Sequence, residues 1–208
     1  MLNKESLREA FAHIAIVMEQ NRQYLIELDQ RNGDGDLGIS MADGYAAANA
    51  SIQQSSETDL GKLLIGAYKD FGEAAPSSLG TITSLGLMGM AKALVGNSEA
   101  NTATVAKAMK AGIAKIMERA GSKPGEKTIL DSLWPAVETL EAHANEHVKT
   151  AWHAAATAAR EGSNNTANMK AIHGRAAYYG DKTIGLVDGG SVVGSLLFEA
   201  ISEYVSGK

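Results

Sequence analysis

The sequence predicts an all-α fold of about seven to nine helices. Three observations carry that reading. Apolar residues recur at spacings of 3, 4 and 7 through most of the chain. The composition is rich in alanine, with only 3 prolines and 5% aromatic residues, which favours helices packed closely on small residues. No stretch of strand length alternates apolar and polar residues convincingly.

The helical faces follow in chain order. Leu7, Phe11, Ile14, Met18, Leu25 and Leu28 form the first. Leu60, Leu63, Leu64, Ala67 and Phe71 form another, and a helix opens near Pro76-Ser77-Ser78 and runs to about Val95. Val105, Met109, Ile113 and Ile116 come next, followed by Leu130, Leu133, Trp134, Val137 and Leu140. Val192, Val193, Leu196, Leu197, Ile201 and Tyr204 close the series. The breaks are expected at 29–38, 72–80, 120–128, 161–166 and 180–191, all rich in glycine and in Ser, Thr, Asp or Lys. No linker or internal repeat divides the 208 residues, so one domain over 1–208 is expected. If alternate loops meet at one end of a helical bundle, they build one polar site there.

Composition narrows the chemistry. The chain has no cysteine, which excludes disulfides, thiolate metal sites and thiol nucleophiles. A net charge of −5 and the lack of a basic run argue against nucleic acid. No segment has the roughly 18 apolar residues of a membrane span, and Met1-Leu2-Asn3-Lys4-Glu5 does not read as a secretory signal. A cytoplasmic location with no membrane contact is expected.

Polar chemistry is densest in Asp29-Gln30-Arg31-Asn32-Gly33-Asp34-Gly35-Asp36-Leu37-Gly38. Interleaved glycines let three carboxylates converge, and converging carboxylates repel unless a cation neutralises them. Hard oxygen ligands suit Mg²⁺ or Ca²⁺. Gly33-x-Gly35-x-x-Gly38 matches a dinucleotide fingerprint, but a helix precedes it where a strand is required, and Asp34 and Asp36 would face a pyrophosphate. An EF-hand starting at Asn32 would place Leu37 where that loop requires glycine. A magnesium site holding nucleotide phosphates needs phosphate loops elsewhere; a solvated Asp/Gly turn needs nothing more.

Candidate phosphate loops exist. Pro76-Ser77-Ser78-Leu79-Gly80-Thr81-Ile82-Thr83-Ser84 opens a helix with small and hydroxylated residues, either an anion site or a plain N-cap. No GxxxxGK[ST] loop is present. Gly174-Arg175-Ala176 suits a phosphate or sugar contact, or a surface ion pair. His143 and His147, four apart with Glu146 between, match H-x-x-E-H. No third zinc ligand is evident, and two solvated histidines are expected. His13, His153 and His173 are isolated.

The ordered loops resemble a known family, the ADP-binding L subunits of bacterial dihydroxyacetone kinases and the nucleotide domains of the single-chain kinases. The likeness covers nearly the whole chain. It rests on Leu28-Asp29 with Gly33-Asp34-Gly35-Asp36-x-Gly38, and on Pro124-Gly125-Glu126-Lys127-Thr128-x-Leu130-Asp131 with Pro135-Ala136. It continues in Gly174-Arg175-Ala176-x-Tyr178-x-Gly180, Ile184-Gly185 and Asp188-x-Gly190.

The resemblance implies an eight-helix antiparallel barrel with ADP or ATP at one end. It implies that Asp29, Asp34 and Asp36 ligate two Mg²⁺ ions. Nucleotide contacts would come from Leu37, Gly38 and Ser40, from Ser78, Gly80, Thr81, Ile82 and Thr83, and from Gly121, Ile129, Arg175, Asp188 and Gly189. No residue of this chain would serve as nucleophile. The implied partners are a K-type subunit holding a triose and a phosphotransferase-system donor subunit of M type, and a homodimer is compatible. Three segments depart from the family pattern: Leu37 replaces the usual histidine, Gly80-Thr81-Ile82-Thr83-Ser84 stands for Gly-Gly-x-Ser-Gly, and Gly189 replaces the proline of an Asp-Pro-Gly turn. They leave room for a paralogue acting on another ketose, or one that binds nucleotide without transferring phosphate.

Overall fold

The computed structural model describes residues 1–207. Among the described residues nine α-helices form: α1 (Lys4–Gln20), α2 (Arg22–Asp29), α3 (Leu37–Gln54), α4 (Leu60–Ala74), α5 (Ser78–Leu94), α6 (Thr102–Ala120), α7 (Leu130–Ala142), α8 (Val148–Asn165) and α9 (Gly189–Ser206). Among the described residues there is no strand, only one isolated bridge between Leu2 and Ala100. Packing runs α1–α3–α4–α5–α6–α7–α8–α9 and back to α1, a closed ring of eight. α2 continues α1 past a bend at Asn21, whose side-chain amide donates to the Val17 carbonyl (2.8 Å). The eight-helix expectation therefore holds, with a short ninth helix at the rim.

Local sequence explains where helices begin. Asn3, Asp59, Ser77, Asn101 and Asp188 each accept a backbone N–H of the first turn, which satisfies donors that the helix itself leaves free. The ring interior is apolar. Met18, Leu25, Met41, Phe71, Leu130 and Phe198 are fully buried, and the Tyr45 ring meets Phe71 edge-on with centroids 4.9 Å apart. A cavity of about 120 Å³ remains among Ile14, Tyr45, Leu87, Ile113 and Phe198.

Two expected breaks move. α4 extends to Ala74, so the α4–α5 turn shrinks to residues 75–77. The break expected at 161–166 does not occur, because α8 runs through Gly162 to Asn165. That glycine serves packing instead. Pro135, inside α7, has no N–H for the Asp131 carbonyl four residues earlier. α8 packs directly on that carbonyl, where a Cβ on Gly162 would lie 2.0 Å from it.

Gly162→Ala is accordingly expected to lower stability by about 1–3 kcal/mol through overpacking, read as a lower melting temperature with helical circular dichroism retained. An unchanged melting temperature would show that α7 and α8 separate freely.

Candidate functional site

Because the ring alternates direction, its loops sort by end. The α2–α3, α4–α5, α6–α7 and α8–α9 connections share one end. The opposite end is tied by its own contacts, such as Leu60 N–H to the Asn97 carbonyl (2.8 Å). The acidic loop, the Ser77 turn, the Lys127 loop and the Arg175 loop thus lie together. Cross-contacts confirm the grouping for three of them. Arg175 pairs with Asp34 at 2.7 Å, His173 meets Glu126 at 2.6 Å, and Gly189 packs on the Leu37 side chain.

The acidic loop is shaped from within. Asp29 ends α2, and its Oδ2 accepts the Gly35 N–H at 2.7 Å. Gly35 has φ +81°, a left-handed conformation natural to glycine. This fold brings one carboxylate oxygen from each of Asp29, Asp34 and Asp36 to within 4.8 Å of one another. Asp29 is half-buried and the other two are exposed. Burial raises the Asp36 carboxyl above the ordinary range, and repulsion from Asp34 and Asp29 adds to it, while Arg175 opposes. Convergent hard oxygens that repel each other fit a divalent cation. Among the described residues no other group of three acidic or histidine side chains converges this way.

The neighbouring residues divide by burial. Leu37, Gly38 and Ser40, in the first turn of α3, are buried. A Cβ on Gly38 would sit 2.1 Å from the Arg22 carbonyl, so that glycine is required by the α2–α3 contact. At the start of α5 the capping residue is Ser77, whose Oγ accepts the Gly80 N–H (3.0 Å). Ser78 follows as the first helical residue, and Thr81 is exposed, donating its hydroxyl to the Ser77 carbonyl (2.9 Å). Ile82 is half-buried, while Thr83 is buried beside the apolar cavity, its Oγ1 without a hydrogen-bond partner. Gly121 ends α6 with φ +63°, and Ile129 is buried just ahead of α7.

The Lys127 loop holds what sequence reasoning missed. The Asp131 carboxylate accepts the N–H groups of Gly125 and Thr128, each at 2.6 Å, and thereby closes the loop. Lys127 has φ +59° and a buried side chain; it donates to the carbonyls of Thr166, at 2.6 Å, and Leu186. Burial lowers its pKa, with Asp188 and Asp131 opposing. An aspartate three residues after a threonine is a visible capping signal. Nothing in the sequence marks a lysine for a left-handed backbone.

Asp188 caps α9 by accepting the Ser191 N–H at 2.7 Å. Burial pushes its carboxyl up to about 7; the Ser191 bond and Lys127 oppose, and Asp131 and Asp29 reinforce. The two histidines of the H-x-x-E-H match are not on one helix face. His143 ends α7 and meets Glu146 at 2.8 Å, and His147 caps α8, at the far end of the ring.

Comparison with known proteins identifies the family and the fold. A profile of the DAK2 domain matches residues 32–203. The chain is 30% identical over 184 residues to the ADP-binding subunit DhaL of PEP-dependent dihydroxyacetone kinase 1 of Listeria innocua, covering 88% of each. It is 28% identical to L-erythrulose 1-kinase of Mycolicibacterium smegmatis, covering 97% of this chain and 37% of that one. The dihydroxyacetone kinase of C. freundii, solved with AMP-PNP and Mg²⁺, superposes with a TM-score of 0.77 at 22% identity, over 98% of this chain and 34% of that one. That likeness is one of fold. Among the described residues no helix is long and apolar enough to cross a membrane.

The raised Asp188 carboxyl sets a pH dependence. The folded protein holds that proton where the unfolded chain has lost it, so this group's contribution to stability is full below its ordinary value of 3.8 and declines as pH rises to about 7. Asn caps a helix as well as Asp. In chelator, Asp188→Asn is expected to flatten the fall in melting temperature between pH 5 and 7.5 by several degrees. Parallel curves for the two proteins would show that Asp188 ionises normally.

Proposed function

The chain belongs to the DAK2 domain family, and from that premise we propose that it is the magnesium–nucleotide-binding subunit of a dihydroxyacetone-type kinase, acting as one domain over residues 1–208. The observation that carries the reading is the convergence of Asp29, Asp34 and Asp36 beside Arg175. The residues fit the cation and the anion together. Three carboxylates and a nucleoside diphosphate carry a charge of about −6, which two Mg²⁺ and one arginine bring close to neutral. Bound there, the metal supplies charge neutralisation for phosphoryl transfer. Asp29, Asp34 and Asp36 hold it. The first turns of α3 and α5 and residues Gly121, Ile129, Asp188 and Gly189 border the nucleotide. Exposed Arg175 exchanges its bond to Asp34 for a phosphate. Lys127 does not reach phosphate in this arrangement, since its ammonium already serves two carbonyls.

This chain would supply no nucleophile. The acceptor, a triose or related small ketose, would arrive on a K-type subunit, and bound ADP would be recharged by a phosphotransferase-system subunit. The erythrulose kinase relative, of which this chain spans 37%, illustrates the fused alternative. A second reading rests on Leu37, which is buried against Gly189 where the family pattern has histidine. On that reading the protein binds nucleotide without transferring phosphate. Tight Mg-ADP binding with no transfer, when donor and acceptor subunits are both supplied, would select it.

In nucleotide-free protein, Mg-ADP at 100 times its Kd is expected to stabilise by about 2.7 kcal/mol, or roughly 5–10 °C, with neither Mg²⁺ nor Ca²⁺ alone doing so. A shift with Ca²⁺ alone would favour an EF-hand-like site. Asp34→Asn is expected to abolish the Mg-dependent ADP response while leaving helical circular dichroism intact; unchanged affinity would sink the metal assignment.

A further inference from the structure

We propose that Lys127 is a positioning residue of this site: its ammonium closes the neck of the 166–188 loop and so sets the reach of Arg175 toward the acidic loop. The inference rests on the nucleotide reading above for its consequence, but not for its geometry.

The α8–α9 connection leaves the ring at Thr166 and returns at Asp188. Lys127, on a different loop and only 3% exposed, donates to carbonyls at both feet, Thr166 and Leu186. Around it the neck is knitted by Gly185 N–H to the Ala167 carbonyl (2.8 Å) and Asp188 N–H to Thr166 Oγ1 (2.9 Å). Beyond the neck the loop stands out from the ring, with Tyr178 92% exposed and Arg175 reaching Asp34. One further tie, His173 to Glu126, springs from the same α6–α7 loop.

Two features separate a positioning role from simple core filling. Among the described residues Lys127 is the one non-glycine with positive φ. Such backbone persists only where its surroundings over-determine it, and here they aim a long side chain across a gap between two loops. A phosphate-binding lysine would present its ammonium to the ligand. This one turns inward, and a charge-assisted bond to each foot makes the loop's exit and return one unit. Arg175 is carried on that unit, so its approach to phosphate depends on the clip.

The experiment compares wild type, Lys127→Met and Lys127→Gly, each alone and with Arg175→Ala. The readouts are Mg-ADP affinity by titration calorimetry and amide hydrogen exchange of residues 166–188 without nucleotide. Glycine suits the left-handed backbone, so it removes the ammonium without strain and decides the matter if the methionine variant folds poorly. Loss of the ammonium is expected to weaken Mg-ADP roughly tenfold or more and to speed exchange in 166–188 while α1–α7 stay protected. With Arg175 already replaced, the same loss should change affinity little, because the two act through one unit. Unchanged affinity and exchange, or losses that simply add, would overturn the proposal. If wild type does not bind Mg-ADP, the nucleotide reading fails separately. The exchange comparison then decides the clip, and unaltered exchange in Lys127→Gly would refute it.

Discussion

Everything at the polar end depends on the closure of the helix ring. A helix pair can splay, but α1 packs against both α3 and α9, so no helix can shift without moving its neighbours around the circle. Closure demands close approach. Gly162 against the Asp131 carbonyl and Gly112 against the Gly86 carbonyl are places where one Cβ would force the ring apart. That explains the alanine- and glycine-rich composition better than helix propensity does, since glycine weakens a helix in isolation. In return, the loops at the rim are held at fixed separations, so residues distant in sequence can share a charge problem.

Much of this was legible in the sequence, and the reasons are physical. Helical faces show because burial repeats every 3.6 residues, as in Leu60, Leu63, Leu64, Ala67 and Phe71, all buried. The aspartate trio shows because carboxylates among glycines are unusual outside a turn or a cation site. What stayed hidden was decided by tertiary contact. Gly162 reads as a helix end, yet it lies within α8 because α7 crosses there. His143 and His147 read as one helix face, yet they flank a turn. Nothing in the sequence marks Lys127 as buried, because its partners are carbonyls at Thr166 and Leu186, on another loop.

The charged groups at this end occupy different depths, and depth assigns their work. Lys127, Asp131 and Asp188 lie inward, bonded mainly to backbone, and shape the loops. Asp34, Asp36 and Arg175 lie outward, exposed to solvent. Asp29 stands between, giving one oxygen to the Gly35 N–H and another face to the trio. A buried charge without partners is costly, so the inner set is tied by hydrogen bonds. The outer set is less constrained, and the Arg175–Asp34 pair links the two loops.

On the proposed reading, that pair would couple the two ligands of the site. Arg175 pairs with Asp34 and offsets its charge. A cation arriving among the aspartates competes with the guanidinium for the same carboxylate and releases it. An anion that takes the guanidinium leaves Asp34 free and unneutralised, which strengthens the pull of the trio on a cation. Each ligand therefore removes the other's competitor, and by linkage the effect is equal in both directions. Such coupling favours loading the metal and the phosphates together over loading either alone. It works only if Arg175 can reach both positions from one anchored loop. On that reading the arrangement joins a rigid ring, which fixes the aspartates, to a clipped loop, which would limit the arginine to a short swing between carboxylate and phosphate.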